Sequence, residues 1–278
     1  MIASCLNRRV LVAFCLAVFT AASIGAQAPA QEEPFVPQVG QAGKDVVWVP
    51  TPPELVEAML NLAKVTPQDF VMDLGSGDGR NVIAAAKRGA RAVGVEFNSK
   101  MVELSKKNAT AAGVGDKATF VEGDMYQADI SKASVMALFL LPSNMLQLRQ
   151  KFLDLRPGSR IVSNTFGIEG WNPDETVTIE NGCSAWCTAL LWIVPAKVEG
   201  TWHMDGAQLT ISQKFQMVTG SVKTAGGSAQ IENGKLNGEE ITFTAGGNQY
   251  SGRVTGDTIQ GLVKGTGGER AFSATRGK

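Results

Sequence analysis

Residues 71–97 read VMDLGSGDGRNVIAAAKRGARAVGVEF: an apolar run, a turn with glycine at alternate places, a short helical pattern, and a second apolar run that ends in an acid. Few folds accommodate that order. A run short enough to be a strand and apolar on both faces belongs in a parallel sheet covered by helices. Runs of this kind at 70–74, 92–96, 118–122, 135–140 and 160–166, with helical patterns between them, carry the alternation through residues 51–196. Helices are expected at 79–88, at 99–112 between an Asn98 cap and Gly113, and at 144–155 before Pro157 and Gly158. An earlier helix is expected to start at Thr51, which with Pro52 and Glu54 reads as a capping box. A hairpin, 175–180 with 188–195, ends the region.

From about Val198 the chain turns rich in glycine and loses helical periodicity. Leu209, Ile211, Phe215 and Met217 fall on one face at period two, with Thr210, Ser212, Lys214 and Gln216 on the other. The segments KLNGEEITF at 235 and RVTGDTIQG at 253 share a basic residue, an aliphatic, a glycine at the fourth place and isoleucine at the seventh. Repeated hairpins of this kind predict a small antiparallel β-barrel or sandwich over 198–278. The fold class is therefore α/β with a β-rich C-terminal domain. Residues 31–43 read as a linker, and 44–197 as the α/β domain.

The glycine turn has a chemical use. Gly75, Gly77 and Gly79 follow a buried strand, where a Cβ would keep the backbone from approaching a ligand, and the amides at the next helix start form a polar site. An acid about 20 residues on, at the end of the second strand, is placed to bind ribose hydroxyls, and Glu96 stands there. The spacing differs from the dinucleotide fingerprint. Asp73, two places before the first glycine, would repel a phosphate and attract an ammonium group.

With these residues in view, DLGSGDG at 73–79 resembles the first motif of class I S-adenosylmethionine-dependent methyltransferases, VGVEF their second, and EGDMYQAD at 122–129 the segment after their third strand. The resemblance implies a Rossmann-like, seven-stranded methyltransferase sheet with S-adenosyl-L-methionine as cofactor. It also implies site roles: Asp73, Gly75 and Gly77 at the methionine part, Glu96 at the ribose, Asp124 and Met125 at the adenine, with Ser76 a further cofactor-binding residue. More narrowly, VWVPTPPELVEAML, LFLLPSNMLQLRQKF and RIVSNTFGIEGW resemble a bacterial group related to mitochondrial-type protein lysine methyltransferases, over residues 47–171. That likeness makes Thr51 a further cofactor contact and places Leu141, Pro142 and Asn164 near the transferring methyl, with Pro142 and Asn164 as the catalytic candidates. The chain has Leu141-Pro142-Ser143-Asn144 where enzymes that methylate base or glutamine nitrogens carry an (Asp/Asn)-Pro-Pro-(Tyr/Phe) motif.

The implied reaction is transfer of a methyl group to a protein amine, lysine in particular. A small-molecule acceptor, or an exported binding protein that retains the fold without catalysis, are the alternatives. Equal counts of 26 basic and 26 acidic side chains offer no electrostatic pull on nucleic acid. The chain has a single histidine, His203, and no metal site is expected. Trp171 and Trp192 read as packing residues.

The N-terminus points elsewhere. Arg8 and Arg9 precede an apolar run from Val10 to about Ile24, followed by small-residue patterns at 26–30, so residues 1–30 read as a signal peptide and the protein as exported, periplasmic or secreted. An uncleaved segment would be the only membrane attachment. A cytosolic cofactor sits uneasily with that address. Of four cysteines, Cys183 and Cys187 would remain after cleavage. If Asn181-Gly182 forms a two-residue hairpin turn, both lie on the outgoing strand, about 13 Å apart, and stay unbridged.

Overall fold

The computed structural model describes residues 35–277, and Phe35–Lys278 form one compact unit. The signal-peptide reading lies outside the described residues. The α/β part begins with α1 (Pro53–Leu62), β1 (Phe70–Leu74), α2 (Arg80–Lys87), β2 (Arg91–Glu96), α3 (Ser99–Ala111) and β3 (Ala118–Glu122). It continues with β4 (Val135–Leu138), α4 (Pro142–Leu153), β5 (Arg160–Asn164), β6 (Glu175–Thr178) and β7 (Thr188–Ile193). These strands make one seven-stranded sheet in the order β3-β2-β1-β4-β5-β7-β6, parallel except at β7, which runs antiparallel to both neighbours.

Each face of the sheet has its own core. One packs Leu55, Met59 and Leu60 of α1, Val82 of α2 and Val102 of α3 over Val71, Val135 and Val162. The other packs Met145, Leu148 and Phe152 of α4 with Trp171 and Trp192 over Met72, Met136 and Ile161. Both tryptophans are fully buried, and the Trp192 indole donates to the Trp171 carbonyl at 2.8 Å, so packing is indeed their role. Chain order reverses between β1 and β4, which opens a crevice beyond the carboxyl ends of those strands.

The second part is an eight-stranded antiparallel barrel with one side flap. Its strands are β8 (Gly200–Met204), β9 (Ala207–Lys214), β10 (Met217–Thr224), β12 (Glu232–Asn237), β13 (Glu240–Ala245), β14 (Asn248–Thr255), β15 (Thr258–Gly265) and β16 (Gly268–Arg276). The flap, β11 (Gly227–Gln230), pairs only with β10. Closure comes from the β16–β8 pairing, with Thr275 opposite His203, so the barrel alternative is realised over the sandwich. Trp202, Leu209, Ile211, Phe243, Tyr250 and Ile259 are among the side chains that fill the interior. The two sequence repeats are equivalent hairpins, in which Leu236 and Ile241 of one match Val254 and Ile259 of the other, all buried.

The period-two reading fails past Ile211. Phe215 and Gln216 form the tight turn between β9 and β10, with Phe215 at φ +54°, and the turn reverses the phase. Val218 and Val222 point inward, and Met217 is exposed. Phe215 instead stacks on Trp171, ring centroids 5.6 Å apart, with the Arg149 guanidinium 5.7 Å from its ring centre. Gln216 donates to the Asn172 carbonyl and Lys235 pairs with the buried Asp174 at 3.1 Å, so one turn and one strand of the barrel are tied to the α/β part.

Two further expectations are corrected. Thr51 does not cap α1: the helix begins at Pro53 after Pro52, with no side-chain cap, because the Thr51 hydroxyl accepts from the Asn164 amide instead. Cys183 and Cys187 are joined by a disulfide. The turn assignment at Asn181-Gly182 was the error, because β7 begins only at Thr188, opposite Thr178. Gly182 at φ +76° and Trp186 at φ +56° curl the connection back on itself, and the two Cα atoms come within 5.7 Å, inside the bridgeable range. α4 also starts earlier than expected, with Pro142 in its first turn.

Among the described residues, no helix is long and apolar enough to cross a membrane.

Candidate active site

The glycine turn sits at the carboxyl end of β1. Its amides at Gly75 and Ser76 donate to the Val95 carbonyl of β2, at 2.8 and 3.1 Å, which hooks the turn over the neighbouring strand. Gly75, Gly77 and Gly79 all have positive φ. At Gly77 space decides as well: a Cβ there would lie 2.7 Å from Trp48 Nε1. Gly94 is required for a related reason, since a Cβ would fall 2.5 Å from Ser76 Oγ. The Ser76 hydroxyl thus faces the sheet, buried and without a partner among the described residues.

All eight residues expected to hold the cofactor, Thr51, Asp73, Gly75, Ser76, Gly77, Glu96, Asp124 and Met125, line one cleft. The two catalytic candidates do not line it. Asn164 is fully buried beside it, one hydrogen bond away through Thr51, and its Oδ1 is unpartnered among the described residues. Pro142 is exposed at the start of α4.

The three acids have distinct settings. Asp73 is buried and accepts from the Asn81 amide at 3.1 Å. Burial pushes its carboxyl well above the usual range, and the nearby Glu96 and Asp78 charges push the same way. Glu96 has both oxygens engaged by backbone, with Gly77 N–H at 3.0 Å and Asn98 N–H at 2.9 Å, so it clamps the glycine turn to the start of α3. Asp124 accepts from Lys44 at 2.6 Å and from the Tyr126 amide at 2.8 Å; the Lys44 hydrogen bond holds its carboxyl below the usual range, while Lys44 itself is raised.

Sequence reasoning missed much of the surrounding wall. The segment read as a linker folds back on itself, with Gly40 N–H donating to the Trp48 carbonyl and Trp48 N–H to that of Gln41. Lys44 at its bend reaches Asp124 and lies over the Phe97 ring at 4.9 Å, and Trp48 packs on Gly77. Arg80 pairs with Asp78 at 2.6 Å and donates to the Thr51 carbonyl, tying the glycine turn to the strap before α1. Phe139, just past β4, completes the lining. Only Trp48 carried a signal, as part of the VWVPTPPE segment.

A buried acid whose carboxyl is raised, facing a cleft together with a second acid held on backbone amides, fits a ligand with a cationic end and hydroxyl donors. It does not fit a pyrophosphate. The fold and the cleft together define an open α/β protein with its ligand cleft at the carboxyl ends of the central strands.

Comparison with known proteins makes this specific. A family model described as the ANTKMT methyltransferase domain matches residues 73–175. A protein-lysine N-methyltransferase of Saccharolobus islandicus is 44% identical over 140 residues, which cover 49% of this chain and 87% of that protein. The adenine nucleotide translocase lysine N-methyltransferase of Mus musculus is 34% identical over 140 residues, covering 50% of this chain and 56% of the mouse protein. A crystal structure described as an RNA methyltransferase from Salinibacter ruber in complex with S-adenosyl-L-homocysteine is 45% identical, with TM-score 0.50, over 54% of this chain and 96% of that one. The chain belongs to the class I S-adenosylmethionine-dependent methyltransferases, in the branch related to lysine methyltransferases. It is a methyltransferase, and its cofactor is S-adenosylmethionine.

Proposed function

We propose that this enzyme methylates a lysine side chain of a protein acceptor. The observation that carries the reading is the 44% identity across 87% of the archaeal protein-lysine N-methyltransferase. The balanced charge of the chain, 26 basic against 26 acidic residues, gives no support to an RNA acceptor despite the description of the Salinibacter relative.

S-adenosylmethionine supplies the methyl group on a sulfonium, an electrophile that needs no acid to release its leaving group. The chain's own residues bind and orient. Asp73 serves the ammonium end, Glu96 accepts from the ribose hydroxyls, and Asp124 with Met125 borders the adenine. The glycine turn lets the backbone come close. The Asn164 amide donates to the Thr51 hydroxyl and so fixes Thr51 in the cleft wall, a positioning role from behind the cleft. Pro142 starts α4 just after Leu140 and Leu141. Much of the rate enhancement in such a site comes from holding the neutral amine at attack distance, about 3–3.5 Å.

We also read the protein as exported. The N-terminal apolar run supports this, and so does the Cys183–Cys187 disulfide, since such bonds persist in oxidising compartments. Of two reporters fused after residue 35, one active only outside the cytoplasm and one only inside it, the first should be active; activity of the second alone refutes export.

The acceptor is tested by incubating the purified enzyme and methyl-labelled cofactor with cell extract, then digesting and locating the label by mass spectrometry. Methyl-lysine in a protein is expected. Label confined to RNA or to small molecules overturns the reading.

A further inference from the structure

Three aromatic rings meet at the edge of the cleft, on elements far apart in sequence. Phe139 lines the cleft just past β4. Its ring stacks on Phe166, beyond β5, at 5.9 Å between centroids and 17° between planes, and meets Trp186, before β7, at 6.0 Å and 58°. All three sit at the end of the sheet where β4 and β5 finish and β7 begins, on the same side as the glycine turn. None belongs to a core cluster; Phe139 and Phe166 are half-buried, and Trp186 is 43% exposed. The cluster backs onto the cofactor cleft through Phe139 and opens on solvent through Trp186.

The backbone is shaped to make this meeting. After Asn164, Thr165 takes φ +55°, and the Phe166 amide turns back to donate to the Asn164 carbonyl. Thr165 N–H donates to the Thr188 carbonyl at 2.7 Å, tying the segment that carries Phe166 to the residue just past Cys187. Trp186 holds φ +56°, which bulky residues seldom adopt, between the two half-cystines of one closed loop. The crosslink closes that loop and so restrains the position of Trp186.

We propose that Phe139, Phe166 and Trp186 form a binding site for the alkylammonium end of the acceptor side chain, and that the Cys183–Cys187 disulfide positions its third wall. The inference rests on the methyltransferase reading and names how its acceptor is recognised. Aromatic faces attract a cation electrostatically and its methylene stem by apolar contact. The same faces suit the methylated product, which stays cationic; the attacking amine, neutral once it has shed its proton to solvent, keeps the apolar contact of its stem, and an anionic acceptor gains nothing from them. Asn164, whose carbonyl accepts from Phe166 and whose Oδ1 is free, links this site to Thr51 in the cleft wall.

The test uses the mature protein labelled with 5-fluorotryptophan and saturated with S-adenosylhomocysteine. The Trp186 resonance is assigned with Trp186→Phe, and n-butylammonium is titrated against n-pentanol as the neutral isostere. A saturable shift of the Trp186 resonance with the ammonium ion, at least about fivefold tighter than with the alcohol, is expected. Equal responses, or none, overturn the site. Reduction with dithiothreitol, or the Cys183→Ser/Cys187→Ser variant, should weaken the response about fivefold; an unchanged response overturns the role of the crosslink. Calorimetric binding of S-adenosylhomocysteine to the same samples keeps the two claims apart. If the cofactor product binds and the ammonium response is absent, this inference fails and the methyltransferase assignment stands. If it does not bind, the underlying reading fails.

Discussion

Replacing Glu96 with alanine separates the cofactor role of this residue from its structural one. Each Glu96 oxygen accepts one backbone N–H, from Gly77 at 3.0 Å and from Asn98 at 2.9 Å. A carboxylate oxygen has capacity for more than one donor, so ribose hydroxyls can join these bonds without displacing them. Removing the carboxylate therefore has two consequences. In the free enzyme, two charge-assisted bonds at a partly exposed site are lost, and their donors can turn to water, so about 1–3 kcal/mol of stability is at stake. In the complex, hydrogen bonds to a charged acceptor are lost as well, worth about 1.5–3 kcal/mol, or roughly a 10- to 150-fold rise in Kd for S-adenosylmethionine. Calorimetry at a temperature well below both melting points measures the second effect, and thermal melts without ligand measure the first. Glu96→Gln, which keeps one acceptor oxygen, should fall between wild type and alanine in both. A Kd within twofold of wild type in a folded Glu96→Ala protein would refute the placement of the ribose against this carboxylate.

Two other perturbations follow from the same wall. Because burial raises the Asp73 carboxyl well above its usual range, binding a cationic cofactor end favours ionisation and releases a proton, so affinity should rise with pH until the free enzyme's Asp73 is ionised. Asp73→Asn should remove both the slope and the proton release, read from calorimetry in buffers of different ionisation enthalpy; for the free protein the sign is opposite, with the stability from this group present below the unfolded pKa and lost as pH climbs through the raised one. Gly77→Ala puts a Cβ 2.7 Å from Trp48 Nε1 at φ +54°, and should cost about 2–4 kcal/mol and lower Tm by roughly 5–10 °C; a drop under 2 °C would contradict the packing of Trp48 on the turn.

How much of this was written in the chain depends on how far apart the interacting residues lie. The elements around the glycine turn could be read locally. A run such as FVMDL can be buried on both faces only in a sheet, and Asn98 caps α3 through bonds to residues two and three places on. The residues expected at the cofactor gather in one cleft, because all but Thr51 lie at the end of a strand whose neighbours parallel pairing brings into one crevice. Where local patterns had a distant competitor, they misled. Thr51 has the chemistry of a cap, but its hydroxyl is taken by Asn164 across 113 positions. Phe215 keeps the alternation of β9 on paper, yet it stands in a turn and packs on Trp171.

By itself, then, the sequence determined the α/β class, the glycine turn with its three acids, and the β-rich tail, all of which follow from short-range periodicity and sterics. Only the tertiary structure decided that the tail closes, that Lys44 and Trp48 return to wall the cleft, and that Cys183 finds Cys187. It alone brought Phe139, Phe166 and Trp186 together. Each of those depends on where a connection bends or on which distant surface a side chain meets, and neither is encoded in the spacing of neighbouring residues.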